Sequence, residues 1–306
     1  MLMVMEFIEI EAFVAIARAG SFTSAASVLH LSQPGVSRRI ELLERELGAP
    51  LFDRTREGAR LTEAGANFLP FAEQMLAAAR DGAAAVRTLT QGDEGTVSLA
   101  LVGTLANSDL LVRLQTFRTA YPAIRIALRT ARSEEVSELV RRGEHTLGLR
   151  YFADRSSAIV SIPVHDELLI LVCARNSRLV CPDAHDAAAL KGVPWVGFPV
   201  GSGSSSEGFA RLLERQLIKC GLEGAEIIAV DSLTAQKRLI EADFGVGLLP
   251  ATSVEEELRL GTLQRMSIAA LHTTASVHAI HRRAGFLSLA AQRLLDALTA
   301  GSEAAA

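Results

Sequence analysis

"LSQPGVSRRIELLE", residues 31–44, decides how the start of this chain is read. It opens on short polar residues and a proline, then turns evenly apolar with two adjacent arginines set into it. Ser32 is a good helix N-cap, and Pro34 falls in the first turn, where a missing N–H costs little. At about 100° per residue, Val36, Ile40, Leu43 and Leu47 gather in one narrow arc, a core face. Pro34, Ser37, Arg38 and Glu41 fall on the opposite side, with Gln33 at its edge. The outer face of the N-terminal half therefore carries short polar groups and an arginine. A solvated face with i, i+4 pairs such as Glu41–Arg45 is the alternative reading of this helix taken alone.

The residues upstream extend the pattern. Phe7, Ile10, Val14 and Ala17 recur on one helical face, and Gly20 follows as a helix stop. A second helix opens near Thr23 and runs through "SAASVLH", where Ala25 and Ala26 let another helix come close. A short helix, a brief turn and a longer helix with a polar outer face describe a helix-turn-helix. Gln33 suits adenine edges, Arg38 suits guanine, and Ser32 and Ser37 suit either.

The next segment, "GAPLFDRTREGARLTEAG" (48–65), places Arg54, Arg56 and Arg60 around a turn at Gly58. It reads as a small basic β-wing, a natural phosphate-contacting element. Residues 1–62 hold seven arginines against eight acids, so this region is not basic overall. Its cations are gathered at the third helix and the wing.

The whole chain has a net charge of −4, so any basic surface is local. Its 306 residues fit about two domains. An apolar fraction of 49% and a charged fraction of 22% are those of a soluble globular protein. The longest strongly apolar run, Leu168 to Ala174, is strand length, far short of a membrane span. Glu6, Glu9 and Glu11 near the N-terminus do not suit a signal peptide. Three irregularly spaced cysteines suit a reducing compartment, so a cytoplasmic location is expected.

Thr62 can cap a helix running to about Thr90. Leu69, Ala72, Leu76, Ala79, Ala83 and Val86 alternate steps of three and four along it, a heptad seam fit for a dimer. Pro70 should kink this helix or remove one bond. "QGDEG", 91–95, reads as a hinge. Domains are expected at 1–61, 62–91 and 92–306.

From residue 96 strands and helices alternate. "TVSLALV", "IRIALRTA", "TLGLRYF" and "LLILVCA" read as strands, with helices over 107–120 and 133–143. The pattern is α/β with mainly parallel strands. Such sheets bind ligands at the carboxyl ends of strands.

The stretch from Phe13 to Gly65 resembles the LysR-type transcriptional regulators. The match rests on the Gly-Ser-Phe turn, the Ala-Ala pair, Ser-Gln-Pro, Ser37, Ile40, Leu43-Glu44, Leu47-Gly48, Leu51-Phe52, Arg54, Leu61-Thr62 and Gly65. The rest of the chain follows in layout and weaker motifs. Glu41 departs from the pattern, since relatives often carry a neutral or basic residue there. The resemblance implies an α/β protein with a winged helix-turn-helix and a linker helix that pairs two heads. Two Rossmann-like subdomains like a periplasmic binding protein would follow, one at about 95–164 plus 266–300 and the other at about 165–265.

The resemblance implies double-stranded DNA with an interrupted inverted repeat as partner, contacted by Ser32, Gln33, Pro34, Ser37, Arg38, Arg54 and Arg56. It also implies a small-molecule effector in the subdomain cleft, tetramers, and an effect on DNA bending and RNA polymerase contact. Thr104 resembles the family's effector-contacting hydroxyl, and "DFGVGLLP" (243–250), with Gly247, its Gly-x-Gly strand. Ser202 and Ser204 lie in a Gly/Ser loop opening a helix, where free N–H groups favour anions. Arg150, ending a strand, could pair with a carboxylate bidentately. An anionic effector, in particular a carboxylate, is therefore expected.

Other classes fit less well. "GSGSSSEG" holds no Gly-x-Ser-x-Gly elbow and no paired His, so no catalytic residue is assigned. His278 and His281 lack a Cys or carboxylate beside them, so neither metal nor other cofactor is expected. A redox sensor is the alternative within the family. However, none of Cys173, Cys181 and Cys220 lies in the Gly/Ser loop region where peroxide-sensing relatives carry their first cysteine. A stand-alone solute-binding protein would lack residues 1–90.

Overall fold

Residues 5–55, 58–91, 95–107, 110–181, 184–199 and 208–300 are described in the computed structural model. The chain divides at Thr90–Gln91 into two compact units. In the first, α1 (Phe7–Ala19), α2 (Phe22–Val28) and α3 (Gln33–Leu47) precede the wing. The wing is an antiparallel ribbon of β1 (Phe52–Thr55) and β2 (Gly58–Leu61), and α4 (Glu63–Gln91) follows it.

The helix ends follow local chemistry. Gly20 closes α1 at φ 65°, a left-handed conformation that glycine adopts freely. Ser32 Oγ accepts the Gly35 N–H at 3.2 Å, and Thr62 Oγ1 accepts the Gly65 N–H at 3.0 Å. Helix α2 starts earlier than the sequence suggests. Its cap is Ser21, whose hydroxyl accepts the Ser24 N–H at 3.4 Å, and Thr23 lies inside the helix.

Phe13 is fully buried, with the Phe52 and Phe68 rings at 5.3 and 5.2 Å. One side chain thus ties α1 to the wing and to α4. Val36, Ile40 and Leu43 complete this core from α3. Each such side chain contributes about 1.5–3 kcal/mol on burial. Gly65 is required by contact: a Cβ there would lie 2.2 Å from the Leu51 carbonyl oxygen.

Helix α4 runs unbroken through Pro70. Its expected seam is split. Ala72 and Leu76 are buried in the core of this same unit, with Leu69 packed against it. Ala79, Ala83 and Val86 are exposed. The helix spends its first half completing the core of this first unit. Phe71, Ala78, Gly82 and Val86 instead form an exposed stripe along its length, with Phe71 62% and Val86 64% exposed.

The second unit begins with β3 (Gly95–Val102), α5 (Leu110–Ala120), β4 (Ile124–Ala131), α6 (Ser133–Arg141) and β5 (Leu147–Tyr151). A 3-10 turn, Gly103–Asn107, precedes α5, so that helix starts later than expected. β3 pairs in parallel with both β4 and β5. The long β6 (Ile159–Ala174) leads out of this lobe, its apolar C-terminal half being the expected "LLILVCA" strand. The second lobe holds β7 (Trp195–Gly197), α7 (Phe209–Lys219), β8 (Ile227–Ala229), α8 (Leu233–Glu241) and β9 (Gly247–Pro250), then α9 (Glu255–Leu260) and β10 (Leu263–Met266). β11 (Thr273–Arg282) returns beside β6 and β5, and α10 (Leu289–Thr299) packs on α5 and β3.

The strands are not mainly parallel. β6 pairs antiparallel with β9, β10 and β11, and β11 with β5. The reason is the crossing: a strand that carries the chain to a second lobe is matched by one that brings it back. β7 and β8 pair in parallel, with Trp195 bridging to Val246. One core runs through both lobes, with Leu99 and Leu149 from one and Trp195 and Leu213 from the other, and each lobe adds a smaller cluster of its own: Val136, Leu139 and Val140 of α6 in one, Val196, Ile240 and Leu263 in the other.

Candidate functional site

On α3, Gln33, Pro34, Arg38 and Glu41 are exposed, and Ser32 is exposed at its cap. Arg38 makes no ion pair among the described residues, so its guanidinium is available. Ser37 differs from the expectation. It is 9% exposed, and its hydroxyl accepts the Gln33 amide N–H at 3.0 Å. One turn apart on the helix, the two side chains meet, and Ser37 fixes Gln33 rather than reaching outward. Arg54 lies in β1 opposite Ala59, with its side chain outside the described part, and Arg56 lies outside the described residues. Glu44, unassigned from sequence, accepts the Leu51 and Phe52 N–H groups at 2.7 and 3.3 Å. It thereby seats the first strand of the wing against α3.

In the second unit, groups from both lobes converge. Thr104, in the turn after β3, is 7% exposed, and its Oγ1 makes no hydrogen bond of good geometry with any described group. It lies beside Tyr151, at the end of β5. Burial first, then the Glu167 charge and hydrogen bond, push the Tyr151 phenol far above its ordinary value, while Thr104 acts in the opposite sense. Phe209, opening α7 in the other lobe, lies edge-on to Tyr151 at 4.5 Å, with Phe152 at 6.2 Å and Phe198 at 5.6 Å. Phe152 has φ 60°, uncommon for a bulky residue, and its N–H donates to Ser276 O at 2.7 Å. Strain of this kind concentrates at functional sites. These aromatic residues were missed from sequence, although "RYF" at a strand end and Phe209 after a Gly/Ser loop were visible.

Two expected effector residues are corrected. Arg150 is 4% exposed and already satisfied: its Nη1 donates to Asp154 Oδ2 at 3.1 Å and to Ser137 Oγ at 2.7 Å. Its position at a strand end is right, but the strand turns it toward α6, where Asp154 supplies an internal carboxylate. Burial would raise the Asp154 carboxyl, but hydrogen bonds from Ser137 and the Ser156 N–H, with Arg150, outweigh it and hold the group below its ordinary value. Gly247 is buried in β9, and a Cβ there would lie 2.4 Å from Ile240 Cδ1. Its lack of a Cβ is what lets Ile240 of α8 pack against β9. Ser202 and Ser204 lie outside the described residues.

The cysteines are free thiols. Burial, with minor help from Asp243 and Cys181, pushes Cys173 up to about 11. Burial also raises Cys220. A thiol held up in this way holds little thiolate at neutral pH. Among the described residues no three His, Cys, Asp or Glu side chains stand together to hold a metal ion, and no helix is long and apolar enough to cross a membrane.

A winged helix-turn-helix with an open polar face, followed by a two-lobed α/β unit whose lobes meet at Tyr151 and Phe209, defines a DNA-binding transcriptional regulator with an effector-binding domain. The profile of the bacterial regulatory helix-turn-helix protein, lysR family, matches residues 7–66, and that of the LysR substrate binding domain matches residues 90–303. The chain belongs to the LysR family of transcriptional regulators. It is 31% identical over 249 residues to the HTH-type transcriptional regulator TfdS of Cupriavidus pinatubonensis, covering 81% of this chain and 83% of that one. It is 28% identical over 262 residues to a probable RuBisCO transcriptional regulator of Emiliania huxleyi, covering 80% and 79%. Among solved structures, full-length CbnR complexed with its target DNA is 27% identical, with a TM-score of 0.64, covering 96% of this chain and 99% of that one.

Proposed function

We propose that this regulator binds an interrupted inverted repeat as a dimer paired through α4. In this reading α3 enters the major groove, where Arg38 and a Gln33 fixed by Ser37 read bases and Arg54 and Arg56 hold phosphate. A small organic anion with an aromatic ring occupies the cleft of the second unit. Its binding shifts the balance between two placements of the paired heads, which requires the ligand to prefer one of them. DNA bending and contact with RNA polymerase follow from that placement, and the effector regions pair further into tetramers.

The observation that carries the ligand reading is the convergence of Thr104, Tyr151 and Phe152 from one lobe with Phe209 from the other. A ring fits between aromatic side chains by offset or edge contact. The anion is assigned to the start of α7, because its cap, Gly208, has no side chain to hold the first N–H groups of that helix.

A thermal-shift screen of the full-length protein tests this with small carboxylates, amino acids and aromatic acids. An aromatic acid should raise Tm by several degrees, and Thr104→Val and Phe209→Ala should abolish the shift. If no acid stabilises the wild type, or if both variants respond like it, the cleft reading is wrong. For DNA, Arg38→Ala should weaken specific binding more than non-specific binding. Equal losses would reduce Arg38 to a phosphate contact.

A further inference from the structure

The Thr104–Tyr151 end of the cleft carries a buried acid that the reading above does not use. Glu167 lies on β6, the crossing strand, and is 4% exposed. One of its carboxylate oxygens accepts the Tyr151 hydroxyl and the other accepts the Thr252 hydroxyl. Tyr151 ends β5 in the first lobe. Thr252 lies in the 3-10 turn Ala251–Val254, which follows β9 in the second lobe. The turn that carries Thr104 packs against that same turn. Hydroxyls from both lobes therefore meet on one carboxylate, and the buried Thr104 hydroxyl beside them makes no hydrogen bond of good geometry.

An ionised carboxylate accepts only, at about four lone-pair positions. Tyr151 and Thr252 fill two. A second carboxylate brought to this end would meet like charge where water cannot screen it. Arg150, adjacent in sequence to Tyr151, gives no relief, since Ser137 and Asp154 hold its guanidinium. A hydroxyl or amino group arriving here would instead donate to Glu167 in a charge-assisted bond, with Thr104 as a second partner.

We propose that Glu167 is the specificity-determining residue at this end of the cleft: it accepts a ligand group that donates a hydrogen bond, a hydroxyl or an amine, and excludes a second acid. The proposal rests on the effector reading above. It also gives ligand identity a route to lobe placement. A donor that reaches Glu167 shares one carboxylate with Tyr151 and Thr252, and each of these fastens a different lobe to the crossing strand.

The test uses the full-length protein and defined probes: 3- and 4-hydroxybenzoate against isophthalate and terephthalate, with benzoate as reference. Wild type should bind the better hydroxybenzoate at least tenfold more tightly than the dicarboxylate of matching substitution. Glu167→Gln, which keeps shape but removes the charge, should cut that ratio about tenfold. Tyr151→Phe opens one more acceptor position on Glu167, so the ratio should hold or rise. It also serves if Glu167→Gln does not fold, because a ratio falling to unity in Tyr151→Phe overturns the assignment. Equal binding of both probe classes to wild type, or an unchanged ratio in Glu167→Gln, overturns it as well. Failure of every probe, benzoate included, to bind wild type overturns the cleft reading itself and this proposal with it, a different outcome from equal binding.

Discussion

At the scale of single residues, the structure reassigns side chains whose type was informative but whose direction was not. Ser37 and Arg150 both look like contact residues in the sequence, and both turn inward to a partner. For Ser37, the consequence is a positioning role. Ser37→Ala should release the Gln33 amide and weaken operator binding several-fold, the size of one hydrogen bond, with little change in Tm. Band-shift titration checks this, and a variant that binds like wild type would remove Ser37 from the reading face. For Arg150, the partner Asp154 carries a pH dependence. Its carboxyl is held below its ordinary value in the fold, so its contribution is present above an unfolded-state value of about 4 and is lost as pH falls through the lower folded value. The Tm gap between wild type and Asp154→Asn should therefore be full at pH 6 and should shrink below about pH 4. A gap that is constant with pH would mean that the pair contributes through shape alone. The buried thiol of Cys173 makes a third expectation. At pH 7.5 a thiol reagent should label Cys181, which is exposed, and leave Cys173 untouched until the protein is denatured.

At the scale of elements, periodicity located α1, α3 and α4, but only α3 buries its expected stripe along its length, Val36, Ile40 and Leu43 with Leu47 packed on them, whereas Phe7 of the expected α1 face is 55% exposed. It could not say against what each stripe packs. The seam on α4 is the clearest instance: spacing is the same whether a residue meets its own domain or a second copy. Leu69, Ala72 and Leu76 meet their own, which moves the expected pairing surface to Phe71, Ala78, Gly82 and Val86. Phe71→Glu should thus weaken self-association at low micromolar concentration without lowering the Tm of the monomer, whereas Leu76→Ala should cost about 2–5 kcal/mol of stability through a core cavity. Analytical ultracentrifugation and thermal melts separate the two, and unchanged self-association in Phe71→Glu would remove this stripe from the pairing surface. The crossing strands β6 and β11 were legible only in part. The apolar half of β6 announced itself, while its other half, "IVSIPVHD", alternates too weakly to read as the same strand.

At the scale of the whole molecule, the caps and turns of the first unit could be read from sequence because they depend on neighbours close in the chain: Ser32 caps α3 and Gly20 closes α1. Of the groups gathered between the lobes, only Thr104 was named from sequence, because Tyr151, Glu167, Phe209 and Thr252 come from four further segments that only the folded sheet brings together. The same contrast governs charge. A protein of net charge −4 gains little from long-range attraction to DNA, so in the reading proposed above its affinity comes from a few local cations on α3 and the wing. That has a measurable signature. The slope of log K against log salt counts the phosphates neutralised, at about 0.9 per contact. Arg54→Ala and Arg56→Ala should each lower that slope by about one per contact removed, and should weaken operator and random DNA alike. Arg38→Ala should leave the slope nearly unchanged while narrowing the gap between operator and random DNA. If the slopes of the wing variants match the wild type, the wing does not hold phosphate, and α3 with the cap of its own helix must carry the docking alone.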